Sequence, residues 1–213
     1  MNKLIKKSPI KTAIASILLL FYAEDLAAQA TQNEQLEAPD TKLNKNLNET
    51  ASFFQNHGIT FGASLTGDLF ANVSGGVEQQ AVFIDDIVLS LTLDLNRSLG
   101  LKNSSLYFSA LQNNGASLSK YIGDAQVANN IEAVRTVRIF ELWFEQLLLR
   151  KKLSVLAGVY DINTEFDYMQ TGALFINSSH GIGAELGNSG RDSPSIFPAT
   201  ALAARIKAVP FRD

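Results

Sequence analysis

From Ile87 to Leu95 every odd position is apolar, and from Asp86 to Asn96 every even position except Val88 is polar. A period of two is that of a β-strand, whose side chains point alternately to opposite faces. The pattern predicts a strand over 86–96 with one oily and one wet face. Similar stretches recur along the chain. In 59–70, Ile59, Phe61, Ala63, Leu65 and Leu69 stand opposite Thr60, Ser64, Thr66 and Asp68. In 104–111, Leu106, Phe108 and Ala110 oppose Ser105, Tyr107 and Ser109. In 138–149, Phe140, Leu142, Phe144 and Leu148 oppose Glu141, Trp143 and Glu145. Weaker patterns predict a fifth strand over 153–162 and a sixth from 201 to 209.

Period alone does not say where each face points, but the connections add a clue. After the first, they alternate short and long: 97–103, then 112–137, then 150–152, then 163–200. Successive connections of an antiparallel sheet lie at opposite ends, so one end has tight turns and the other long loops. Outer-membrane barrels have this asymmetry, and strands of about 9–11 residues suit a tilted crossing. The leucines are therefore expected to face lipid and the carboxylates water. A secreted β-sandwich is the competing arrangement.

Two segments precede the strands. Lys3, Lys6, Lys7 and Lys11 lead into the apolar run 13–23, and Ala28-Gln29-Ala30 gives a small-x-small pattern. This is the form of a secretory signal peptide over 1–30, cleaved after Ala30, with an uncleaved anchor as the competing reading. Residues 31–57 read as a polar lead-in. From Thr41 on, Leu43, Leu47, Phe53 and Phe54 could line a short helix ended by Gly58. Residues 58–213 form the strand region.

Composition removes several function classes. The 213 residues contain no cysteine, so disulfides, zinc–thiolate sites and thiol nucleophiles are absent. A net charge of −3 offers no broad basic surface to nucleic acid. Beyond the signal segment, no run approaches the roughly 18 apolar residues of a spanning helix.

Enzymatic readings fare poorly. Glu141 and Glu145 on one strand are about 13 Å apart at roughly 3.3 Å per residue. Glycosidase pairs need about 5–9.5 Å. The stretch 181–187, Gly-Ile-Gly-Ala-Glu-Leu-Gly, imitates a dinucleotide loop with its third glycine displaced and no strand leading in. Ser179-His180 has no framed acid partner, and His57 and His180 are too few for a histidine metal site. Asp161, Asn163, Glu165 and Asp167 alternate oxygens that could hold Ca²⁺, but solvated loop carboxylates are the favoured reading. No catalytic residue, metal or cofactor is assigned.

The segments 138–149, 153–166 and 172–183 together resemble the carbohydrate-selective porins of Gram-negative outer membranes, the OprB type. The resemblance rests on Glu141-Leu142-Trp143-Phe144-Glu145-Gln146, on Gly158-Val159-Tyr160-Asp161-Ile162-Asn163 followed by Phe166, and on Leu174-Phe175-Ile176-Asn177-Ser178-Ser179. Ser193 to Leu202, with its two prolines, continues it. The resemblance implies an all-β transmembrane antiparallel barrel of roughly 16 strands, passing sugars and other small solutes. About six of those strands are expected here, as the N-terminal half, with a short helix before them. The implied partners are outer-membrane lipid, transported sugars, and a missing C-terminal half or further copies of the chain. A small barrel with a filled lumen and a secreted sugar-binding sandwich are kept as alternatives. The expected channel lining is Glu141, Trp143, Glu145, Asp161, Asn163 and Glu165, with Trp143 as a stacking surface for a sugar ring.

Overall fold

The structure, a computed structural model, describes residues 42–191 and 193–209. The expected signal peptide, and the side chains of Leu43 and Leu47 in the expected helix stripe, lie outside what is described. The chain opens with α1 (Lys42–Asn56) and continues through β1 (Ile59–Ala71), β2 (Ala81–Asp94), α2 (Leu95–Leu99) and β3 (Ser104–Asn113). After α3 (Ser119–Ile122) come β4 (Thr136–Leu148), β5 (Leu153–Tyr160) and β6 (Ala201–Ala208). Each strand pairs antiparallel with the next in sequence, giving one sheet in the order β1-β2-β3-β4-β5-β6. No helix among the described residues is long and apolar enough to cross a membrane.

The six strands stand where the alternation places them, but two local events shift the pattern. The first ends β2. Asp94 accepts hydrogen bonds from the backbone N–H groups of Asn96 and Arg97, at 3.0 and 3.3 Å, and so caps α2. Gly100, at φ 74°, closes that helix in the left-handed conformation that glycine adopts without steric cost. Leu95 and Asn96 are therefore helical, and Leu95 is buried instead of facing lipid. The strand makes up its length at the other end, starting at Ala81, where Phe83 continues the outward row.

The second event is a bulge. Ser109 pairs with Glu141 while Ala110 pairs with Ile139, leaving Phe140 as the extra residue. Its carbonyl accepts from the Thr200 hydroxyl, and its ring meets Phe197 edge-on at 6.2 Å. Phe140 thus packs against the long 161–200 segment, apart from the lipid-side row to which the alternation assigned it. The bulge also flips the phase: Val137 and Ile139 are exposed before it, and Leu142, Phe144 and Leu148 after it.

The ends of the sheet differ as the connection lengths require. One end carries α2 and the 149–152 turn, where Leu149, Arg150 and Lys151 all have positive φ. There α1 also meets the sheet: Phe54 packs edge-on against Phe61 at 5.3 Å, and Arg97 donates to the Gln55 carbonyl. The other end carries 72–80, 114–135 and 161–200, joined to one another. Val77 and Glu78 donate to the Tyr121 carbonyl at 2.8 and 3.0 Å, Asn130 to that of Ile176 at 2.7 Å, and Ser178 to that of Val127 at 3.1 Å. Among the described residues Ile84, Leu95, Leu111, Leu118, Leu156 and Tyr160 make up the buried apolar set. Four of the six belong to the wet-face rows of β2, β3 and β5, Leu95 opens α2, and Leu118 lies in the 114–135 connection.

Candidate functional site on the inner wall

Glu141, Trp143 and Glu145 lie on one face of β4, as alternation demands. Their cross-strand neighbours complete the site. Tyr107 on β3 pairs with Trp143, and Gly158 on β5 pairs with it from the other side. The Tyr107 and Trp143 rings are stacked, with centroids 5.0 Å apart and planes 21° from parallel. Tyr160 meets the indole at 6.4 Å and nearly perpendicular. Gly158 has φ 145°, and a Cβ there would lie 2.5 Å from the Trp143 Cα. Only glycine lets β5 close up behind the indole.

The indole is fixed from one side. Its Nε1–H donates to Glu141 Oε1 at 3.3 Å, and the same oxygen accepts from the backbone N–H of Asp161 at 3.1 Å. Glu141 is buried, so it sets the Trp143 ring and ties the start of the 161–200 segment to the wall. The half-buried Trp143 keeps part of its surface open.

Next along the wall is a charged cluster. Arg205 of β6 reaches Glu145 Oε1 at 3.2 Å and Glu165 Oε1 at 2.7 Å, and also donates to the Ser154 hydroxyl. Ser154 in turn donates to Glu145 Oε1 at 2.6 Å. Lys207, one pleat along, stands 3.9 Å from Glu165. Arg205 is buried and carries two carboxylates, one from the strand wall and one from the long segment. The segment is thereby pinned to the sheet at its first turn.

Asp161, Asn163 and Glu165 follow β5 directly. Asp161 caps the 3-10 turn Ile162–Thr164 by accepting from the Asn163 N–H at 2.9 Å. Burial pushes the Asp161 carboxyl above its ordinary pKa, and the bond from Asn163 offsets part of that rise. The Asn163 amide donates to the Phe166 carbonyl at 3.2 Å. Asp167 accepts from the Gly183 N–H at 2.7 Å. These oxygens are engaged by separate donors and do not converge. Among the described residues no group of three or more acidic, histidine or cysteine side chains is arranged to hold a metal.

The structure thus joins Glu141 and Trp143 to Asp161, and Glu145 to Glu165, in two adjoining clusters. Sequence reasoning passed over Arg205, Tyr107, Ser154, Gly158 and Tyr160 as site residues. Arg205 did carry a signal. It is a cation two residues before Lys207 in an otherwise apolar strand, which puts both charges on one face.

The family model for the carbohydrate-selective porin, OprB family, matches residues 78–212. Porin B of Pseudomonas aeruginosa is 28% identical over 120 residues, which are 52% of this chain and 26% of that protein. The high-pH structure of Pseudomonas putida OprB superimposes with a TM-score of 0.68 at 21% identity, covering 78% of this chain and 41% of that one. That likeness shows the fold. The chain spans less than half the length of both relatives. The match takes in β2 to β6 and every residue of the two clusters, and it places the sheet in the outer membrane of a Gram-negative bacterium. The chain belongs to the OprB family of carbohydrate-selective porins.

Proposed function

We propose that the six strands form part of the wall of a water-filled pore through which sugars diffuse, and that the chain is a channel component and no catalyst. The carrying observation is the inner-wall pairing of an aromatic platform with fixed charges: Trp143 stacked on Tyr107, beside the Glu145–Arg205–Glu165 cluster. A sugar has apolar ring faces and hydroxyl edges. The open part of the indole suits the face, and the charged cluster suits the edges. Such contacts are weak enough for the solute to leave, as conduction requires.

Division of labour follows from burial. Trp143 and Glu145 meet the solute, whereas Glu141 and Asp161 hold the indole and the loop start in position. Asn163 and Glu165 shape the segment that narrows the passage. The strands on the far sides of β1 and β6 that a pore of this kind needs come from further chain or from further copies. Proteoliposomes carrying the chain together with the remaining strands of the barrel, checked by heat-modifiable gel migration, should swell in isotonic hexose. A heat-modifiable protein that gives no swelling above empty liposomes would rule the pore out in favour of a filled barrel.

A further inference from the structure

Charge is divided between the two ends of the sheet. The two short connections, 95–103 and 149–152, carry five basic residues and no acidic one. The three long ones, 72–80, 114–135 and 161–200, carry eight acidic residues and three basic ones. Short turns of an outer-membrane barrel lie on the periplasmic side and long loops outside. The basic end is therefore the periplasmic end.

The fold gathers these cations. The Asn103 carbonyl accepts from the Leu147 N–H at 2.9 Å, and the Gln146 amide donates to the Lys102 and Asn103 carbonyls, both at 3.1 Å. The first turn is thus fastened to the last residues of β4, just before Leu149 opens the second. That second turn is held from its other side, where the Val209 N–H donates to the Lys152 carbonyl at 2.8 Å. Arg97 is engaged by Asp94 at 3.4 Å and by the Gln55 carbonyl. Lys102, Arg150, Lys151 and Lys152 are exposed, and among the described residues none of them forms an ion pair. Four free cations on two adjoining turns set up a local positive potential.

Apolar side chains accompany them. Leu99, Leu101 and Leu149 are exposed in the same two turns, and Leu148 ends the outward row of β4. Exposed leucines beside free cations, at the margin of a lipid-facing surface, have the composition of a membrane-interface segment. The apolar groups enter the acyl chains, and the long basic side chains reach the headgroups. A soluble acidic partner would answer the cations but leave the leucines in water.

We propose that the 95–103 and 149–152 turns form a docking surface for anionic phospholipid headgroups of the periplasmic leaflet. Lys and Arg close to a membrane surface are attracted by the net negative charge of such lipids, which a zwitterionic headgroup lacks. Docking sets the depth at which this end of the sheet sits. It is separate from the path of the solute.

The test is native mass spectrometry of the chain assembled with the remaining strands of the barrel, in detergent, titrated with short-chain phosphatidylglycerol or phosphatidylcholine. Phosphatidylglycerol should bind about tenfold more tightly at low salt, and the preference should shrink as salt rises. The triple variant Arg150→Gln, Lys151→Gln, Lys152→Gln should abolish the preference. The charge-preserving Arg150→Lys, Lys151→Arg, Lys152→Arg should keep it. Lys102→Gln alone should lower it about threefold, and it decides the matter where the triple variant lacks heat-modifiable migration. Lys120→Gln, at the long-loop end, should leave it unchanged. Equal binding of the two lipids, or a preference that Lys120→Gln lowers as much as Lys102→Gln does, overturns the proposal. So does glycerol phosphate competing as strongly as the whole lipid, since the turns would then be a site for soluble anions.

Discussion

The two faces of this sheet are built from the same strands and have opposite chemistry. On the outer face large apolar side chains are exposed: Leu65 at 66%, Leu69 at 77%, Val137 at 78% and Leu202 at 84%. On the inner face polar and charged groups are buried, with Ser109 at 0%, Glu141 at 6% and Arg205 at 7%. In water this arrangement would be doubly unfavourable. In a membrane it is the expected one, because lipid solvates the leucines while the loops and a wet lumen serve the inner wall. The contrast shows that an exposed apolar residue is informative only once the solvent is named.

The largest test of that contrast concerns the sheet edges. Among the described residues β1 and β6 do not pair with each other, and unpaired backbone groups in hydrocarbon cost several kcal/mol each. Residues 42–209 by themselves should therefore give no steady conductance in planar bilayers and should aggregate or be degraded. Supplying the remaining strands of the barrel should restore a channel. Sugar-blockable channels from 42–209 alone would mean that several copies can share one pore.

Next in size is the buried cation of the inner face. Arg205→Met removes the charge that holds Glu145 and Glu165 together and leaves two carboxylates facing each other. Breaking a buried pair costs about 3–5 kcal/mol, and the lower end applies because both glutamates keep some contact with water. Urea unfolding in detergent should show the loss, and proteolysis should speed up within 161–200. Adding Glu145→Gln should recover part of it. Strictly additive losses would show that the charges are uncoupled.

A smaller effect compares neighbours on the two faces. Leu91→Arg, near mid-strand on the lipid side, should cost about 2–4 kcal/mol in a lipid folding assay. Thr92→Arg, on the inner side, should be tolerated. Equal damage at both positions would break the assignment of faces.

Much of this contrast is legible in the sequence because strand alternation is a local property. The six strands, their order and the segregation of long and short connections all follow from a period of two and from counting. The failures have local physical causes too. The alternation carries on through Leu95 and Asn96, but the Asp94 cap and Gly100 satisfy a helix there, and hydrogen bonding overrides period. Phe140 reads as one more outward residue, yet the bulge needs an extra residue and the Phe197 contact takes it. The site was legible on β4, where Glu141, Trp143 and Glu145 sit two apart. It was not legible across strands. Only register brings Arg205, distant in sequence, beside Glu145, and register is fixed by turn geometry and pairing beyond any one segment.

Within the inner wall, the aromatic platform and its support should separate. Trp143→Ala removes the stacking surface and should weaken sugar block of the current about tenfold, which is about 1.4 kcal/mol. Conductance in plain salt should change little. Glu141→Gln keeps an acceptor for the indole N–H and should change block much less. If the two substitutions weaken block equally, Glu141 itself contacts the sugar.

The smallest expected effect comes from comparing Arg205 with Lys207. Both are cations on the same face of β6, and both reach Glu165. Arg205 lies within 2.7 Å of that carboxylate with its side chain 6% exposed, whereas Lys207 stands at 3.9 Å and 59% exposed. An exposed pair at that distance is screened by water and salt, and ordering the long side chain offsets what attraction remains. Lys207→Gln should therefore shift stability by no more than about 0.5 kcal/mol. Its mark should appear instead in ion selectivity, because a solvated charge on the wall still acts on mobile ions. Reversal potentials measured across a salt gradient should move toward cations at low ionic strength and return as salt rises. A loss of stability comparable to that of Arg205→Met would mean that the clamp on the 161–200 segment is shared between both cations.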